Sequence, residues 1–188
     1  SRRVVIENNE YGNNNSADIA VMSGLVVEGD PAQWLLTRDE LVGDVDGMTL
    51  PEDESGVYNF LTRNIVMSGN SHTGSGTAPD GSDPEAREIG ALLALLYLGQ
   101  RVDDVLYDSI GESAFDATDP SGNSNDNHIC VGGNTGGTFA SLDLETLAAR
   151  LEGGEFPSTD WLFRPDAPFA PFDCTALEGD AIPAISVD

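Results

Sequence analysis

VYNFLTRNIVM, Val57–Met67, runs directly into SGNSHTGSGTAPDGS, Ser68–Ser82, and the way this stretch is divided decides the fold. The first part is rich in β-branched and aromatic residues, the composition of a half-buried strand. The second is dominated by Gly, Ser, Thr and Asn, and is expected to be a fifteen-residue loop, long enough to be functional or mobile.

Working outward, Asp83 can cap a helix, Pro84 fits its first position, and Glu85 and Glu88 suit its dipole. Ile89, Leu92, Leu93, Leu96 and Tyr97 then recur at helical spacing, and Val102, Val105 and Leu106 resume the stripe beyond Gly99. A helix over 84–107, bent or broken near Gly99, is predicted. A shorter one is expected over Leu142–Leu151, stopped by Gly153 and Gly154. Strands are expected at Arg3–Ile6, in the apolar run Ile19–Val27 and at His128–Val131. Strands and helices do not alternate regularly, which disfavours a parallel α/β sheet. The predicted class is therefore α+β: a mainly antiparallel β sandwich or single jelly-roll-like barrel, with one long and one short helix. No internal repeat stands out at a solenoid period. Residues 1–162 are expected to form one globular domain, and the Pro-punctuated residues 163–188 an extended C-terminal strap.

Charge bounds the partners. The chain has no lysine; its eight cations are all arginine, against 33 Asp and Glu, for a net charge of −25. Such self-repulsion is tolerable when salt screens it, because the Debye length falls to about 3 Å at molar ionic strength. The composition resembles that of proteins adapted to concentrated brine. Nucleic acid and anionic membranes are disfavoured partners, since both need a basic patch. No apolar run approaches the length of a membrane-spanning helix, and no signal peptide is visible. The two cysteines, Cys130 and Cys174, are either a disulfide or two buried thiols.

Several motifs approach a chemistry without completing it. Asp44, Asp46, Gly47 and Asp53 partly match a calcium loop, but Val42 falls where the first acidic ligand belongs. Calcium at Asp44, Asp46 and Asp53 is the one cofactor left open; none is required. Gly69-Asn70-Ser71-His72 resembles a nucleophile elbow, but Thr73 replaces its second glycine. His128 and Cys130 share a strand face and, with Asp126 or His72, would offer a zinc or copper site. Gly132–Gly137 resembles a phosphate cradle without its lysine. Acidic pairs such as Asp103 and Asp104 are too numerous for two glycosidase carboxylates to be singled out.

The strap offers apolar anchors, Phe163, Phe169 and Phe172, on a stiff tether, and docking onto a neighbouring subunit is expected to bury them. With no catalytic constellation assembled, the chain is expected not to be an enzyme. The favoured function is a structural subunit of an extracellular or virion assembly, such as a capsid, in high salt, with copies of itself or other subunits as partners. A secreted or cell-surface binding module, calcium-dependent through residues 44–54, is the alternative. A small hydrolase using His72 or His128 comes third.

Overall fold

The computed structural model describes residues 2–37, 56–79, 87–114, 116, 119, 122–166 and 169–174. Among the described residues ten strands and three α-helices follow in order. They are β1 (Arg2–Glu7), β2 (Glu10–Gly12), β3 (Ile19–Val21), α1 (Gly24–Val27), β4 (Leu35–Thr37), β5 (Gly56–Tyr58), β6 (Arg63–Ser68), β7 (Ser71–Thr73), α2 (Arg87–Leu96), β8 (Val105–Tyr107), β9 (Ile129–Gly132), β10 (Phe139–Ser141) and α3 (Leu144–Glu152).

The strands wind as three stacked coils. In the first coil β1, β2 and β3 follow one another; in the second, β6, β7 and β8 repeat the path. In the third, β9 is followed by a single bridge at Thr135 and then by β10. Like sides stack into parallel sheets β1-β6-β9, β2-β7 and β3-β8-β10, with Thr135 extending the second through its parallel bridge to Ser71. The registers align Val4 with Ile65 and Ile129, Ile6 with Met67 and Val131, and Ile19 with Val105 and Phe139. These columns point into the coil and make one continuous apolar core. A second core lies outside the third sheet. There Leu106 and Ala140 pack with Leu93, Leu96 and Tyr97 from the α2 region and with Leu147 of α3. Being buried on both faces, β8 and β10 lack the apolar–polar alternation of a half-exposed strand.

The turn between the first and second sides recurs in all three coils. Asn8, Gly69 and Gly133 adopt φ of 56°, 65° and 64°, a left-handed conformation that Gly and Asn tolerate best. Each is followed by an asparagine, and these form a ladder. Asn70 Oδ1 accepts the Asn9 backbone N–H at 3.0 Å, and Asn134 Oδ1 accepts that of Asn70 at 2.8 Å. Asn70 and Asn134 donate their side-chain amides to the carbonyls of Ile6 and Met67, one coil back. Backbone groups at the bend, which no ladder strand satisfies, are thereby paired.

Past the third coil the strap folds back beneath it. Phe163 exchanges two backbone hydrogen bonds with Ser141, and the Phe172 carbonyl accepts the Val131 N–H at 2.7 Å. The Phe172 ring lies 5.1 Å from that of Phe139 and 5.7 Å from that of Tyr107, and Phe169 lies 5.7 Å from Phe139. A disulfide joins Cys174 to Cys130. The strap thus covers the free edge and apolar interior that the last coil would otherwise expose.

These observations correct the sequence-based expectations. The mainly antiparallel sandwich or jelly-roll barrel gives way to parallel coils; among the described residues antiparallel pairing is confined to β4 with β5 and to the Ser141–Phe163 bridge. The fifteen-residue loop contains β7, and its Gly-Asn step is a coil corner rather than unstructured chain. The long helix ends at Leu96, followed by Leu98 and Gly99 at positive φ, and Val105–Tyr107 is a strand. Ile19–Val27 divides into β3 and the short α1. A repeat does exist, at offsets of 61 and 64 residues.

Candidate functional site

Most inward positions of the coil are apolar, but the corner between its second and third sides is polar. Asp18, Asp104 and Thr138 immediately precede β3, β8 and β10, so the strand registers stack them in one column. From the second side, His72, the central residue of β7, points inward. Tyr11 occupies the same position one coil earlier and stacks on the imidazole at 5.3 Å. One coil later the chain has Gly136 and Gly137, and a Cβ on Gly137 would lie 2.8 Å from His72 Cδ2. Glycine there makes room for the ring.

The polar groups meet closely. His72 Nδ1 is 2.8 Å from Asp18 Oδ2, and both side chains are completely enclosed. Asn14 donates to Asp18 Oδ1 at 2.6 Å. Burial pushes the Asp18 carboxyl up, but hydrogen bonds from Ser75, Asn14 and His72 outweigh it and hold its pKa below the usual carboxylate range. Asp104, also fully enclosed, pairs with Arg101 at 2.5 Å through Oδ1 and accepts the Thr138 N–H and hydroxyl at 2.9 and 3.0 Å through Oδ2. Arg101 reaches over from outside and donates its Nε–H to the Ser75 carbonyl. At this corner His72 Nε2 is left buried without a hydrogen-bond partner. An unmet buried polar atom of this kind costs about 1–3 kcal/mol.

Beside this corner opens a cavity of about 400 Å³, lined by Gly137, Thr138, Asp103, Arg164, Asp166 and Phe169. Asp103 is held by Arg164 at 2.7 Å and by the Tyr97 hydroxyl at 2.8 Å. Asp103 and Asp104 therefore serve two separate ion pairs, with Arg164 and Arg101, and form no carboxylate pair facing one substrate.

The residues singled out from sequence fall as follows. Ser71 and His72 are neighbours on a strand and point to opposite faces, so they do not form a nucleophile–base pair. His128 is exposed, with Nδ1 3.1 Å from Asn64 Oδ1, and Cys130 is bonded to Cys174, which removes the proposed zinc or copper set. Gly132–Gly137 forms the corner of the third coil, its peptide groups engaged with the second. Phe163, Phe169 and Phe172 are 1%, 8% and 1% exposed within the chain's own core. Buried there, they have no surface to offer a neighbouring subunit. Asp44, Asp46 and Asp53 lie outside the described residues. Nothing local in the sequence sets Asp18 apart from the other acids, and Asp104 stands out there only as a member of one acidic pair among many; the coil register brings both to His72. No known protein family, curated protein or solved structure matches the chain.

Proposed function

We propose that this chain is a structural module of an extracellular or virion assembly in concentrated salt. The observation that carries this reading is the asymmetry of the coil stack. Its last coil is closed by the strap and its disulfide. Its first coil has no strand on the outer side of β1, β2 or β3 among the described residues. There a cavity of about 150 Å³ opens onto Val4, Ile6, Ile19, Val21 and Ile65. An apolar interior flanked by unpaired strand edges is a surface on which another subunit packs.

Two further features support the reading. A disulfide that ties the strap to the last coil suits an oxidising environment outside the cell. A net charge of −25 on 188 residues suits a brine in which like subunits approach without prohibitive repulsion. The contact surface in this proposal is the first-coil end, with the strap acting as an internal cap.

Sedimentation of the full chain in molar potassium chloride tests the proposal. Concentration-dependent association that Ile6→Glu abolishes, with the variant still folded by circular dichroism, is the expected result. A monomer at every concentration in molar salt would overturn it.

A further inference from the structure

We propose that Asp18, His72 and Asp104 bind a divalent transition-metal ion of the zinc class, tying the first coil to the second. A ring nitrogen of His72 and one carboxylate oxygen from each aspartate all lie within 4.8 Å of one another. Donors at about 2.1 Å from a tetrahedral zinc ion stand about 3.4 Å apart, so a closure of at most about 1.4 Å brings all three into its coordination sphere. They come from three segments that the coil register fixes: Asp18 ahead of β3, His72 within β7 and Asp104 ahead of β8.

Acidic clusters are common on this chain, and the imidazole sets this one apart. His72 is 5% exposed and its Nε2 has no partner. A Cβ on Gly137 would lie 3.4 Å from that nitrogen, and the next residue, Thr138, donates to Asp104. With Nδ1 only 2.8 Å from Asp18 Oδ2, the ion would replace the proton between these two atoms and take both as ligands.

The carboxylates have capacity to spare. A carboxylate offers about four lone-pair sites. Asp104 uses three, toward Arg101 and the two Thr138 donors. Two enclosed carboxylates face one guanidinium at this corner, and an added cation offsets the excess negative charge. One nitrogen and two oxygen donors select a zinc-like ion over calcium or magnesium, which prefer all-oxygen shells, and over the alkali cations of brine. Held by residues of both coils, the ion would act as a staple at a corner where β2 and β7 pair over only three residues.

The test is calorimetric titration of zinc chloride into the chelator-stripped full chain in molar potassium chloride. Binding of one equivalent is expected, with a raised melting temperature and affinity lowered at least tenfold in His72→Gln. Failure to take up zinc, or uptake unchanged in His72→Gln, would overturn the proposal. If that variant does not fold, imidazole nitrogen NMR of the unaltered chain decides, because only two histidines are present. On adding zinc the His72 resonances are expected to shift and those of His128 to stay. A His72 signal unmoved at saturating zinc would contradict the assignment. Neither result depends on whether the chain assembles.

Discussion

Asn70 Oδ1 accepts two hydrogen bonds from Asn9, the backbone N–H at 3.0 Å and the side-chain amide at 3.1 Å, across 61 residues of sequence. The pair fixes the register between the first two coils, while Asn70 repeats the relationship with Asn134 below it. Asn70→Ala would remove a side chain that is 1% exposed and leave its partners, the Asn9 N–H and the half-buried Ile6 carbonyl, unmet. Unmet buried groups cost about 1–3 kcal/mol each, so a loss of about 3 kcal/mol is expected. Asn9→Ala, at the exposed end of the ladder, should cost about 1 kcal/mol. Urea unfolding in molar salt measures both; equal effects would deny the ladder its direction.

Asp108 gives a pH signature of opposite sign to Asp18. Burial pushes its carboxyl up to about 6, against the opposing pull of N–H groups from Ser23 and Ile110, and the Glu145 charge adds to the rise. A raised acid favours the protonated folded state, so its contribution is fully present below about pH 4 and declines as pH climbs to about 6. Asp18, with its lowered pKa, contributes above the ordinary carboxylate range and is lost only as pH falls through that lowered value. Removing the charge by Asp108→Asn is therefore expected to gain up to about 3 kcal/mol at pH 7, at 1.36 kcal/mol per unit, less the loss from setting the amide NH2 against one of the Ser23 and Ile110 N–H donors. The advantage should shrink toward pH 4. Melting curves across that range check it, and a flat difference would refute the assignment.

The strap is predicted to act on folding stability. The Cys130–Cys174 bond closes a loop with a sequence separation of 44, and a loop of that length contributes about 4 kcal/mol in the chain-entropy model. Phe172 is 1% exposed against Phe139 and Tyr107, and truncating a buried Phe costs about 3–5 kcal/mol. Reduction, or Phe172→Ala, should lower the urea midpoint of the monomer at every protein concentration. A midpoint that shifts only where subunits associate would return these rings to a partner's surface.

Much of this was legible in the sequence, but in pieces. Gly153 stops α3, and the apolar spacing from Ile89 to Leu96 marks α2, because both signals are local. The coil signal is local too: Asn8-Asn9-Glu10, Gly69-Asn70-Ser71 and Gly133-Asn134-Thr135 each follow an apolar strand. It escapes a search at fixed period because the excursions between sides differ in length. The first coil passes from β2 to β3 through residues 13–18, whereas the second spends 74–104, including α2, on the same side. The strand Val105–Tyr107 is hidden by its burial on both faces, which removes the alternation that marks a strand and lets Val102, Val105 and Leu106 imitate a helix. The Asp18–His72–Asp104 corner is legible only once the register is known.

That register is the foundation of the whole account, and methyl and aromatic NOE spectroscopy in molar salt tests it most directly. Stacked parallel coils predict contacts joining Ile65 to both Val4 and Ile129, and Val105 to both Ile19 and Phe139. Absence of these contacts, with antiparallel pairing of β6 to β9 or β1 in their place, would contradict it.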